Sequence, residues 1–199
     1  MVLSNTIGTC QNQALSFHRT VITPMYKLLV NLCCFFLLLT PYAASQHGSL
    51  LSWGDDGYGQ VSNTPSGLGF VAVDTGSYCS IALLEDGSLL GWGWDQGGMV
   101  SNVPSGTGFV GISCGTYAAF ALRPDGSIVS WGDDSSGQVS NTPTGTGFLQ
   151  VEAGSAYAVA LKADGSLVSW GSDSYGQVTN TPQGTGFRSI AAGWSHALA

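Results

Sequence analysis

The chain has 199 residues, 29 of them glycine, with only 9% charged residues and a net charge of −7; that composition suits short strands and tight turns and leaves little for long helices. All twelve acidic residues follow Gln46, together with three of the five basic ones (Arg123, Lys162, Arg188), so twelve negative charges against three positive leave residues 46–199 at −9. Three scattered cations neutralise too few phosphates for useful affinity, which argues against nucleic acid as a partner. The acidic surface is repelled by anionic lipid and attracts a basic partner or a cation.

The first 45 residues read separately from the rest. Leu28–Leu39 is a twelve-residue apolar run preceded by Lys27 and followed by Pro41, with small residues Ala43 and Ser45 before Gln46. This is the grammar of a secretory signal cleaved before Gln46, and Met25 would supply a more ordinary start than Met1. The alternative is an uncleaved N-terminal membrane anchor, since Leu28–Ala44 reaches the short end of what crosses a bilayer. Cys33 and Cys34 lie inside the run and do not read as a lipid-attachment site. Either way, residues 46–199 are expected to be exported, secreted or held at the cell surface, with 1–45 as the N-terminal extension and signal.

From Gly48 onward the chain repeats itself every 39 residues. Gly48–Gly54 (GSLLSWG) recurs at Gly87–Gly93, Gly126–Gly132 and Gly165–Gly171, and Gly76, Gly115, Gly154 and Gly193 keep the same spacing. In the best-formed copy, Phe148–Ala153, Ala156–Leu161 and Leu167–Trp170 read as strands. Asp164-Gly165 marks a tight hairpin, and Gly176–Asn180 is expected as a weak fourth strand ending before Pro182. Period-two alternation puts Val159 and Leu161 (Ile81, Leu83, Phe120 and Leu122 in sister copies) on a bulky face and Ala158 and Ala160 on a small one. Such sheets stack large face against small, as the blades of a radial array do. Trp53, Trp92, Trp131 and Trp170 recur as packing residues at the end of the third strand.

The string Ala192-Gly193-Trp194-Ser195-His196-Ala197-Leu198, joined to Leu161–Gly171 and Gly176-Gln177, is similar to the repeat of the regulator of chromosome condensation family. The resemblance covers nearly all of 46–199 and implies an all-β propeller. Members of that family have seven blades, and the short repeat looks most like a secreted bacterial branch that includes a β-lactamase inhibitor. Departures are plain: the histidine after the repeat glycine survives only as His196, against Cys79, Ala118 and Tyr157, and Met99 replaces the repeat glutamine. The exchange-factor activity of the family's name-giver therefore does not transfer. Seven such repeats would need about 273 residues, so the expected fold is an open four-blade arc of a larger ring. Its uncovered blade faces should drive self-association.

The polar residues are mostly repeat-symmetric, His47 and His196 have no identifiable nucleophile beside them, and the cysteines and histidines match no zinc spacing. No catalytic residue, metal or cofactor is expected. The variable segment is the loop after each Trp-Gly, which carries Asp55, Asp56 and Tyr58, then Trp94 and Asp95, then Asp133 and Asp134, then Asp173 and Tyr175. Each aspartate can satisfy its own turn; alternatively the loops form a rim that binds a protein partner, with Tyr58, Trp94 and Tyr175 as anchors. Calcium is a weaker reading, the aspartate spacing matching no known loop. The reading favoured is an exported, non-catalytic protein-binding module. The alternatives are a propeller enzyme using rim carboxylates and a gene fragment without a function of its own. Cys79 and Cys114 fall at different repeat phases; Cys114 reads as a small buried packing residue, with a disulfide left open.

Overall fold

The computed structural model describes residues 48–199; Met25, the apolar run with Cys33 and Cys34, His47 and the expected cleavage point before Gln46 lie outside them. Three blades follow one another, each a three-stranded antiparallel sheet: β1 (Phe70–Thr75), β2 (Cys79–Leu84) and β3 (Leu89–Gly93); β4 (Gly111–Cys114), β5 (Ala118–Leu122) and β6 (Ile128–Gly132); β7 (Phe148–Ala153), β8 (Tyr157–Lys162) and β9 (Leu167–Gly171). A short hairpin of β10 (Ala191–Ala192) and β11 (Ala197–Leu198) begins the next. The second and third strands are joined at Asp-Gly turns. At Asp164-Gly165 the glycine takes φ +79° and the aspartate carboxylate accepts the Ser166 amide at 2.9 Å, which removes the steric cost of the turn and fixes the pairing.

The blades stack as the alternation implies. Ile81 and Leu83 of the first blade form one buried cluster with Ala119 and Ala121 of the second. Phe120 and Leu122 of the second cluster with Ala158 and Ala160 of the third, and Val159 and Leu161 with Ile190 and Ala192. Each large side chain so buried contributes about 1.5–3 kcal/mol, and it fits only because the facing strand offers methyl groups.

Each blade is also tied to its predecessor by an indole. The Trp92, Trp131 and Trp170 Nε1–H groups donate to the carbonyls of Gln60, Met99 and Gln138 at 3.0, 3.1 and 2.9 Å, each 32 residues upstream, and all three rings are buried. Trp53 differs, being 85% exposed; the residue 32 positions before it lies outside the described residues. At the turn between first and second strands the neighbouring backbones touch. A Cβ on Gly76 would overlap the Gly115 carbonyl oxygen, and one on Gly115 would overlap that of Gly154. First strands of adjacent blades then bond across this contact, Cys114 N–H to Asp74 Oδ2 at 2.8 Å and Ala153 N–H to Ser113 Oγ at 3.0 Å.

Two strand expectations are corrected. Gly176–Asn180 is a run of turns and not a fourth strand, because Asp173 Oδ1 accepts the Val178 and Thr179 amides at 2.8 and 2.9 Å and Asn180 N–H bonds back to Gly176. Those donors are no longer available to a ladder. Leu50–Trp53 is likewise outside any strand; Gly48 makes a single antiparallel bridge to Phe70, and Leu51 is 86% exposed. Among the described residues β11 pairs with β10 alone, and the four repeats form an open arc.

Gly115→Ala should therefore destabilise the fold by about 1–3 kcal/mol, the usual cost of forcing atoms into a packed site. Gly111→Ala, whose Cβ would make ordinary 3.5 Å contact with Leu122, should stay within about 0.5 kcal/mol of the parent. Urea denaturation of both variants checks the contrast.

Candidate functional site

The rim loops are built the same way four times. The second aspartate after Trp-Gly, or its equivalent, accepts two backbone amides five and six residues on: Asp56 from Val61 and Ser62, Asp95 from Val100 and Ser101, Asp134 from Val139 and Ser140, Asp173 from Val178 and Thr179, all at 2.8 to 2.9 Å. A carboxylate is the one side chain that can accept from both without leaving a donor over. These bonds hold the carboxyls below the ordinary range. For Asp56, Asp95 and Asp134 the first cause is the amide six residues on, and for Asp173 it is the Thr179 hydroxyl.

The preceding position has a second structural task. Asp133 accepts from Gln138 Nε2 at 3.0 Å and Asp55 from Gln60 Nε2 at 3.1 Å, while the glutamine Oε1 receives the amide of Ser136 or Tyr58. Asp133 is also held low, chiefly by the Ser135 hydroxyl. In the second repeat both partners change together: Met99 stands for the glutamine, buried at 2% exposure, and Trp94 for the aspartate. With no amide to satisfy, position 94 is released from the turn.

Trp94 uses that release to join an aromatic cluster. Tyr58 of the preceding loop stacks on it at 5.0 Å between ring centroids with planes at 29°. Tyr78 meets both edge-on, at 5.3 Å from Trp94 and 5.4 Å from Tyr58. Tyr58 and Tyr78 remain 47% and 41% exposed. Tyr78 was not among the expected anchors. It belongs to the β1–β2 turn, but antiparallel extension of β2 and β3 bonds Trp94 N–H to the Tyr78 carbonyl at 2.8 Å, and the sequence signal was the pairing of residues flanking Cys79 and Gly93. Tyr175 stands apart, 78% exposed and with no ring contact among the described residues.

Tyr78 also borders an open groove of about 320 Å³ lined by Leu50, Leu51, Trp53, Val73 and Trp92, with Asp55 at its edge. The cluster and the groove together make a continuous apolar and aromatic surface, the kind that anchors a protein partner. Among the described residues no three histidine, cysteine or acidic side chains come together as a metal cage. Two of the three cations after Gln46 are engaged, Arg123 over the Phe109 ring at 5.0 Å and Lys162 over Phe148 at 5.8 Å.

The regulator of chromosome condensation (RCC1) repeat model matches residues 109–138 and 148–177. No curated protein matches the chain in sequence. Among solved structures, the chain is similar to the ectodomain of the receptor kinase CR4 from Physcomitrella patens, with 22% identity over 77% of this chain and 43% of that one and a TM-score of 0.65. The CRINKLY WD40 ectodomain of the Arabidopsis thaliana receptor kinase ACR4 gives 27% identity, 62% and 43% coverage and a TM-score of 0.52. Prp20p from Saccharomyces cerevisiae, described with its binding to Gsp1p and histones, gives 18% identity, 75% and 51% coverage and a TM-score of 0.60. The chain thus spans about half the length of these propellers or less.

The depressed rim carboxyls give a pH expectation. Asp56, Asp95, Asp134 and Asp173 are held below the ordinary carboxyl range in the folded chain, so their contribution is fully present above that range and is lost as pH falls through the lower folded values. The urea midpoint should hold steady from neutral pH down to about pH 5 and drop below it. Asp134→Asn should keep one acceptor oxygen and lessen the acid-dependent part of the drop; Asp134→Ala should lower the midpoint already at neutral pH.

Proposed function

We propose that this chain, which is built of regulator of chromosome condensation repeats, is an exported, non-catalytic protein-binding module whose partner docks on the Tyr58–Tyr78–Trp94 cluster and the groove beside it. The observation that carries this is the cluster itself: three rings from two repeats gathered at an exposed rim, one of them at a position the turn no longer needs. Aromatic side chains presented this way lose little entropy on binding and dominate interface energetics. Asp56, Asp95, Asp133, Asp134 and Asp173 support a binding role over a hydrolytic one, since they are already committed to their own loops and sit low, where a general acid needs a raised value. Prp20p, similar in fold, is described with protein partners. The net charge of −9 after Gln46 favours a basic partner.

Export rests on the apolar run Leu28–Leu39 and the small residues before Gln46. The open ends of the arc, with Val71 and Val73 exposed at one side and Trp194 and Leu198 at the other, support association between copies.

Once a partner has been captured and purified, titration calorimetry against variants tests the rim. Trp94→Ala and Tyr58→Ala should each weaken binding by about tenfold or more, the effect of losing an interface anchor, while Tyr175→Ala should leave affinity unchanged. Equal affinity for all three variants and the parent would remove the cluster from the interface.

A second expectation concerns the product recovered after export. Its N-terminal residue should be Gln46, and its mass by light scattering should rise with concentration above that of a single chain. An intact leader on the recovered protein would overturn cleavage, and a concentration-independent monomer would overturn self-association.

A further inference from the structure

Cys79 and Cys114 lie 35 residues apart at unrelated phases of the repeat, yet the fold sets them face to face between the first and second blades, with their sulfurs 3.3 Å apart. Both are buried, at 4% and 6% exposure, and neither is in a disulfide. The two positions that meet at this point are not thiols elsewhere: the same pair between the second and third blades is Ala118 and Ala153, and the next is Tyr157 and Ala192. Packing here therefore requires no sulfur, and one interface of the array has acquired two. The pair also separates two cavities. Cys79 borders the 320 Å³ groove, and Cys114 borders a depression of about 190 Å³ where the glycine turns of all four repeats converge.

We propose that Cys79 and Cys114 are a reversible redox pair, whose disulfide staples the first blade to the second when a small oxidant of the peroxide class enters from the groove. The order of events follows from the contact. Hydrogen bonding from Cys114 holds the Cys79 thiol below its ordinary range, and the same contact together with burial pushes Cys114 up, so Cys79 supplies the thiolate. Its sulfur attacks one peroxide oxygen; the O–O bond breaks, leaving Cys79 as the sulfenic acid and hydroxide, which takes the thiol proton to become water. The Cys114 sulfur then attacks the Cys79 sulfur. The S–S bond forms, the S–O bond breaks, and the departing hydroxide leaves as water with the Cys114 proton. Two thiols and one hydrogen peroxide give one disulfide and two waters, and a dithiol reductant reverses the result by exchange. The bond falls one residue after Tyr78 and so pins the turn that carries it.

The test uses the full chain, whose other cysteines are Cys10, Cys33 and Cys34. After hydrogen peroxide and quenching, free thiols are alkylated in denaturant and the protein is digested with chymotrypsin, which separates Cys79 from Cys114. The expected result is a joined Cys79–Cys114 peptide with neither sulfur alkylated, both alkylated after dithiothreitol, and an unfolding midpoint raised by roughly 10 °C in the oxidised form. Cys79→Ala and Cys114→Ala install the residue used at the next interface and should fold normally; neither should yield the joined peptide or the midpoint shift. Full alkylation of both thiols in the peroxide-treated, folded parent would overturn the pair, as would their joining to Cys10, Cys33 or Cys34 instead of to each other. Because thiols are counted directly, the outcome stands apart from whether the aromatic rim binds a partner.

Discussion

Neighbouring repeats meet backbone to backbone at the turn between their first and second strands, where nothing larger than hydrogen fits on Gly76 or Gly115. That contact sets the spacing of the first strands. Only at that spacing can a residue of one blade bond its counterpart about 40 positions later, as Cys114 does to Asp74 and Ala153 to Ser113. The second strands then lie close enough for Phe120 to fill the space above Ala158 and Ala160, and the indoles reach the carbonyls 32 residues upstream. The three kinds of contact share one geometry, so each repeat is stable chiefly through its neighbours, as in other repeat architectures.

The rim loops show how a polar surface can be spent almost entirely on its own construction. Each loop lacks a strand partner; in every copy one aspartate takes up two of its amides, and in the first and third an aspartate–glutamine pair stands beside it. The aspartate that accepts the amides five and six residues on recurs in every copy because every copy has those amides to satisfy. The second repeat breaks the rule at both members of the pair at once, with Met99 buried and Trp94 turned toward Tyr58 and Tyr78. Departure from the repeat, more than residue type, marks where the surface has been freed for something other than folding. The facing cysteines of the first interface are a second such departure, in the interior.

Much of this was legible in the sequence. The 39-residue period, the Asp-Gly hairpins and the alternation of Val159 and Leu161 with Ala158 and Ala160 specified three strands per blade and large-on-small stacking, because those properties depend on residues close in the chain or at a fixed offset. The fourth strand expected at Gly176–Asn180 failed for a reason of the same local kind: the competing acceptor, Asp173, was in view, but whether an amide bonds a carboxylate or a ladder depends on whether a partner strand is present to offer one.

What only the tertiary structure decided is which residues from different repeats stand together. Tyr58, Tyr78 and Trp94 are separated by twenty and sixteen positions and become one cluster through the antiparallel join of β2 to β3 and the placement of one loop against the next. Tyr175, indistinguishable from Tyr58 by sequence phase, has no such neighbours among the described residues. Cys79 and Cys114 likewise meet only because adjacent blades are offset so that a second strand faces the following first strand. Periodicity fixes what each repeat is; the rotation from one blade to the next, set by backbone contact at the glycine turns, fixes which side chains it brings face to face.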